Sequence, residues 1–108
     1  MSEYLQVMTT IDDREVAIKI VQTLVEARLA GCAQVVGPIQ STYWWKGDIE
    51  SAEEWLCILK TSKSLYPELE AAIRQMHSYE VAEILASPVV AGNVDYLTWL
   101  SGELKQVK

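Results

Sequence analysis

Residues that carry chemistry are scarce in this chain of 108. It has one histidine, two cysteines, and 9 Lys and Arg against 15 Asp and Glu, for a formal net charge of −6. Two cysteines are too few for a disulfide scaffold. There is no CxxC, no HxxxH and no histidine-rich tract, so no compact metal motif is encoded. There is no GxSxG, no phosphate-binding glycine loop and no nucleophile beside a base, so nothing points to an enzyme. An acidic surface repels phosphate backbones, which argues against nucleic acid. No apolar run approaches the roughly 20 residues needed to cross a bilayer. The opening MSEYLQVMTT has neither a basic n-region nor a long apolar h-region, which leads to an expectation of the cytoplasm. Repeats, long linkers and low-complexity stretches are also missing. What is there is 50% hydrophobic residues, enough for one core in a single domain over 1–108. A core that small commonly gains stability from self-association.

Periodicity divides the chain as follows. YLQVMTT (4–10) alternates and is rich in β-formers, giving a first strand. A helix is expected over about 13–30, capped by Asp12 or Asp13, with its stripe at Ala17, Ile20, Val21, Leu24 and Val25 and its stop at Gly31. CAQVVGPIQSTYWW (32–45) reads as a long strand interrupted at Gly37-Pro38, where a bulge, a bend or an edge position is expected. KGD (46–48) is a tight turn, and IESAEEWLCILKTS (49–62) runs back. A second helix is expected over 64–77, capped by Ser64, with Leu65, Leu69, Ile73 and Met76 facing inward. YEVAEILASPVV (79–90) reads as the fourth strand, and a short helix over 93–104 starts at Asn93 or Asp95. The order is βαββαβ plus a helix: a ferredoxin-like α+β sandwich with an antiparallel four-stranded sheet, a long β2–β3 hairpin and an extra C-terminal helix.

Pleating assigns Leu5, Val7, Ala33, Val35, Leu56, Ile58 and Ile84 to the helix-covered face. The other face then carries Gln6, Met8, Cys32, Gln34, Trp55, Cys57, Leu59 and Glu83, too apolar to face water. One helical layer cannot cover both faces, and a second copy of the sheet is the simplest cover. The hairpin adds to this. Strands of about 14 residues extend some 45 Å at about 3.3 Å per residue, well beyond the usual strand. Tyr43, Trp44 and Trp45 therefore lie at a tip that overhangs the domain. Either a neighbouring subunit receives them, or the tip folds back on its own C-terminal helix against Trp99.

Several separated stretches, LAGCAQVVGPIQSTYWWKGDIE (29–50), EEWLCILKT (53–61), HSYEVAEILASPV (77–89) and GNVDYLTWL (92–100), resemble the CutA family of divalent-cation tolerance proteins. The cysteine of GCAQV, the aromatics before KG, the HxYE step and the DYLxWL ending occur in the family's order. The resemblance covers nearly the whole chain. It implies a ferredoxin-like subunit in a tight homotrimer, similar in architecture to PII signalling proteins, with no established catalytic reaction. It also implies a link to tolerance of copper and other divalent metals in bacteria, and to acetylcholinesterase anchoring in animals. Two positions depart from the pattern. Ser78 replaces the usual proline of HPYE, and Met8 stands where some bacterial members carry cysteine.

Candidate site residues follow. His77, near Glu80 and Glu83, is either a ligand for Cu or Zn or an exposed helix-end residue favoured by the dipole. Cys32 is either a thiolate ligand for Cu(I) or Zn or a small buried hydrophobe. Cys57 sits in WLCIL and reads as core. With the turn at 46–48, residue 57 falls beside 37 and 32 beside 62, so a Cys32–Cys57 disulfide is not expected. Asp48, Glu50, Glu53 and Glu54 either bind cations weakly or protect a solvated hairpin. No cofactor is required, with weak binding of Cu or another divalent cation as the exception. A small-metabolite pocket at a subunit seam would draw on Tyr43, Trp45, Lys60, His77, Tyr79 and Glu80, unless those side chains only pack the interface. The function expected is a non-catalytic homotrimer in divalent-metal tolerance. The alternatives are a PII-like sensor with a ligand at its seams and a scaffold without one.

Overall fold

The computed structural model describes residues 3–107. Strand β1 is Tyr4–Ile11, helix α1 Arg14–Glu26, β2 Cys32–Trp45, β3 Asp48–Ser62, α2 Tyr66–Met76, β4 Ile84–Pro88 and α3 Val94–Glu103. A short 3-10 turn, Lys63–Leu65, precedes α2. The four strands form one antiparallel sheet in the order β2-β3-β1-β4. This is the ferredoxin-like α+β arrangement expected, with the long hairpin and the additional helix.

Local chemistry explains most boundaries. The Asp13 carboxylate accepts from the amides of Glu15 (2.9 Å) and Val16 (3.2 Å), satisfying two free donors at the start of α1. Asn93 does the same for Tyr96 in α3, at 2.9 Å. Helix α1 stops well before the glycine at 31. The left-handed residue is Arg28, at φ 59°, and Arg28 donates through its guanidinium to the Glu103 carbonyl. Gly31 serves a different need: a Cβ there would lie 2.5 Å from Leu100 Cδ1. Ser64 does not cap α2; its hydroxyl lies 3.1 Å from that of Ser62. The last strand is much shorter than expected. Residues 77–83 are irregular because they turn the chain from α2 to β4, which pairs with β1 only from Thr9↔Ile84 to Leu5↔Pro88.

The core lies between the sheet and the helices. Val7, Cys57 and Leu59 of the strands meet Ala17, Ile20 and Leu24 of α1, Leu69 and Ile73 of α2, and Leu100 of α3. This overturns the face expected for β3. Cys57 and Leu59, with their ladder partners Val35, Ala33, Thr9 and Val7, point to the helices. Leu56 and Ile58 point the other way, and Trp55 packs against the core. WLCIL is apolar on both sides of the pleat, so alternation within β3 cannot distinguish its faces. Glu83 precedes β4 and belongs to neither face.

The hairpin register was also displaced from expectation. The turn has two residues, Lys46 at φ 50° and Gly47 at φ 88°, the left-handed pair that joins twisted strands tightly. At Gly37-Pro38, a cis peptide, two residues of β2 face one of β3, so Ile39 pairs with Glu54 but Val36 with Leu56. Cys57 therefore lies beside Val35 and Cys32 beside Lys60. The two cysteines are free and on opposite faces, as the absence of a disulfide required.

The bulge decides what the hairpin presents. Before it, the face away from the helices carries Cys32, Gln34 and Val36. Beyond it the parity of β2 changes, and the same face carries Ile39, Ser41, Tyr43 and Trp45, opposite Glu54, Ala52, Glu50 and Asp48. Trp44 is thrown to the other side with its partner Ile49, and they are 72% and 63% exposed.

Candidate functional site: the junction of the hairpin and residues 77–83

Beyond Ile11 the strand β1 ends, and β3 continues into the hairpin without that neighbour. Residues 77–83 run past this point. His77 closes α2 in an extended conformation, which sends the chain back along the sheet. Its Nε2–H donates to the Thr10 carbonyl at 2.7 Å, and its Nδ1 accepts from the Tyr79 amide at 3.1 Å. A carbonyl cannot donate and an amide N–H cannot accept, so the ring is neutral with its proton on Nε2. The Tyr79 ring stacks edge-on against it, with centroids 4.6 Å apart.

Tyr79 then donates its hydroxyl to Glu54 Oε2 at 2.5 Å. Glu54 is only 4% exposed. The hairpin carboxylates are therefore not alike: Asp48, Glu50 and Glu53 are solvated, while Glu54 is buried and bonded. Burial pushes the Tyr79 phenol well above its ordinary value of 10.0, and the carboxylate that accepts its proton pushes it further, with smaller contributions from Asp12 and Tyr43. Next along the chain, Glu80 lies 3.9 Å from the Lys46 ammonium, which also sits 5.4 Å from the Trp45 ring centroid. The hairpin tip thus turns toward residues 77–83 rather than toward α3. Trp99 remains 47% exposed beside Tyr96, their centroids 5.6 Å apart.

The fold accordingly gathers Tyr43, Trp45, His77, Tyr79 and Glu80 at one junction and adds Glu54. Sequence reasoning missed Glu54 because it is one acid among several in a charged hairpin. Its signal is its place on the same side of β3 as Leu56 and Ile58. Lys60 lies elsewhere, six residues and roughly 20 Å along β3 from Glu54, where its ammonium bonds to Gln34 Oε1. Cys32 shares that row. Its thiol accepts from Gln34 Nε2 at 3.2 Å and lies against Tyr96, whose phenol is raised by burial and by the thiol. His77 is anchored at Thr10 and Cys32 aligns with Gln6 through Lys60, four residues and roughly 13 Å away along β1. Among the described residues no three His, Cys, Asp or Glu side chains come together to hold a metal.

These features define a ferredoxin-like α+β fold with an overlong, bulged hairpin latched to the corner before its last strand. The profile described as "CutA1 divalent ion tolerance protein" matches residues 5–103. The human relative "Protein CutA" is 45% identical over 91 residues, covering 84% of this chain and 51% of that protein, so the chain spans about half its length. The Thermus thermophilus "Divalent-cation tolerance protein CutA" is 39% identical over 94 residues, 87% of this chain and 91% of that one. The crystal structure of CutA1 from Oryza sativa superimposes with a TM-score of 0.94 at 31% identity, covering 98% and 97% of the two chains. The chain belongs to the CutA1 divalent ion tolerance family.

Proposed function

We propose that the chain works as a non-catalytic homotrimer in the response to divalent metals, copper foremost, in the cytoplasm. One observation carries the assembly. The sheet face away from the helices carries a strip of partly covered apolar side chains, Met8, Leu56 and Ile58, with Val36 and Leu85 46% and 58% exposed, and Cys32 lies beside it next to the polar Gln34 and Lys60. The bulge extends that strip through Ile39 to Tyr43 and Trp45. Leaving such a strip in water forfeits several kcal/mol at roughly 25 cal/mol per Å². Family membership favours metal tolerance as the role.

Within this reading a bound metal draws its ligands from more than one protomer. Cys32 lies on the face where copies meet. His77 serves as a ligand only after giving up its bond to Thr10 or to Tyr79, because both ring nitrogens are occupied. Lys60 reaches the hairpin junction only from a neighbouring copy. Sedimentation equilibrium at micromolar concentration tests the assembly, and a folded monomer defeats it. Titration of Cu(II), Cu(I) and Zn(II) into wild type and a His77→Ala, Cys32→Ser double variant tests the ligands. Weaker binding by the variant supports them; equal affinity removes them.

A second reading rests on the junction itself. Tyr43, Trp45, Tyr79, Glu54 and Glu80 converge where a subunit seam would run, as in a PII-like sensor of a small metabolite. A ligand there raises stability by RT ln(1 + [L]/Kd), and a thermal-shift screen of nucleotides and organic acids reports it. If metals and metabolites both leave the protein unchanged, the scaffold reading stands.

A further inference from the structure

An open cleft of about 480 Å³ lies at the opposite pole of the sheet from the hairpin tip. It opens where β1 begins, β3 ends and α3 ends, across a molecule 44 Å long. Its charge balance differs from that of the chain. The whole protein carries 15 acidic residues to 9 basic ones; here Lys63 and Lys105 meet Glu3 in the lining and Glu68 on Lys105, so the acidic excess of the chain is absent. Lys105 is held by Glu68 at 2.8 Å, whereas the Lys63 ammonium has no ion pair among the described residues.

Three hydroxyls, Ser62, Ser64 and Ser101, share the lining. Ser62 and Ser64 lie 3.1 Å apart, so one donates to the other and the second keeps its proton for a guest. An ammonium and hydroxyl donors around one space suit an acceptor with several oxygens. The volume lies within the range of small-molecule sites.

We propose that this cleft binds a small multivalent oxyanion, phosphate or polycarboxylate, through Lys63 and the serine hydroxyls. The site is separate from the hairpin junction and does not depend on any metal.

The test is amide NMR of Ser62, Ser64 and Ser101 in the full chain, titrated at constant ionic strength with inorganic pyrophosphate and, separately, with citrate. The expected result is a saturable shift that Lys63→Gln weakens tenfold or more, while Lys19→Gln, a matched charge removal on the exposed side of α1, leaves it unchanged. Tighter binding of pyrophosphate assigns phosphate as the source, and tighter binding of citrate assigns carboxylate. No shift, a shift that grows linearly without saturating, or equal weakening by Lys19→Gln overturns the proposal.

Discussion

Replacing Tyr79 with phenylalanine removes one oxygen and leaves the Glu54 carboxylate in place. The ring still packs against His77, so the change isolates the 2.5 Å bond. Glu54 is 4% exposed, and water cannot readily replace the lost donor. A hydrogen bond to a charged group contributes about 1.5–3 kcal/mol, and stranding a buried acceptor costs about 1–3 kcal/mol. These describe one loss, not two, so Tyr79→Phe is expected to destabilise the protein by about 2–3 kcal/mol. Glu54→Leu removes the charge and leaves Tyr79 with a free hydroxyl, a smaller loss. In the double variant Tyr79→Phe/Glu54→Leu neither group is stranded, so its cost is expected to fall short of the sum by at least about 1 kcal/mol. Urea denaturation of all four proteins at one protein concentration, because any assembly makes stability depend on concentration, measures the cycle. A Tyr79→Phe cost below about 0.5 kcal/mol, or strict additivity, would refute the claim that Glu54 depends on this hydroxyl.

Gly37→Ala should destabilise by about 1–3 kcal/mol, because its Cβ would lie 2.5 Å from Trp55 Cδ1 and 2.9 Å from Cγ, within a rigid ring; a shift in tryptophan emission should accompany the loss, and neutral stability with an unchanged spectrum would contradict the packing. Thiol labelling should reach Cys57 only on unfolding, since Cys57 is fully buried, whereas Cys32, partly exposed on the face where copies meet, should react in the folded chain once the assembly is diluted apart. Burial raises the Cys57 thiol from 9.0 to about 11, so its contribution to stability is complete below pH 9 and is lost as pH rises toward 11. Denaturation midpoints of Cys57→Ala that fall as steeply as those of wild type across that window would place the alkaline loss elsewhere. Trp45→Ala should weaken assembly more than Trp44→Ala, and the reverse order would mean that the opposite side of the hairpin meets the neighbour.

Much of the fold could be read from local patterns. Asp13 and Asn93 cap their helices because their side chains reach free amides a few residues on, and Leu69 and Ile73 of α2 continue the buried side begun by Leu65 in the preceding turn because helical spacing keeps them on one side. The junction was legible only in part. Tyr43, Trp45, His77, Tyr79 and Glu80 stood out as aromatics and titratable groups, but Glu54 looked like its solvated neighbours, and Lys60 was grouped with residues that the hairpin holds far from it.

The sequence by itself determined the order of elements, the overlong hairpin and the excess of apolar side chains for a single helical layer, because each is a property of residues near one another in the chain. Tertiary structure alone decided which side of β3 is buried, which aromatics the hairpin presents and which carboxylate is taken out of water. The physical reason is register. A strand that is apolar on both sides carries no internal mark of direction. One unpaired residue at Gly37-Pro38 reverses every side chain of β2 beyond it, and only pairing with distant strands fixes the result.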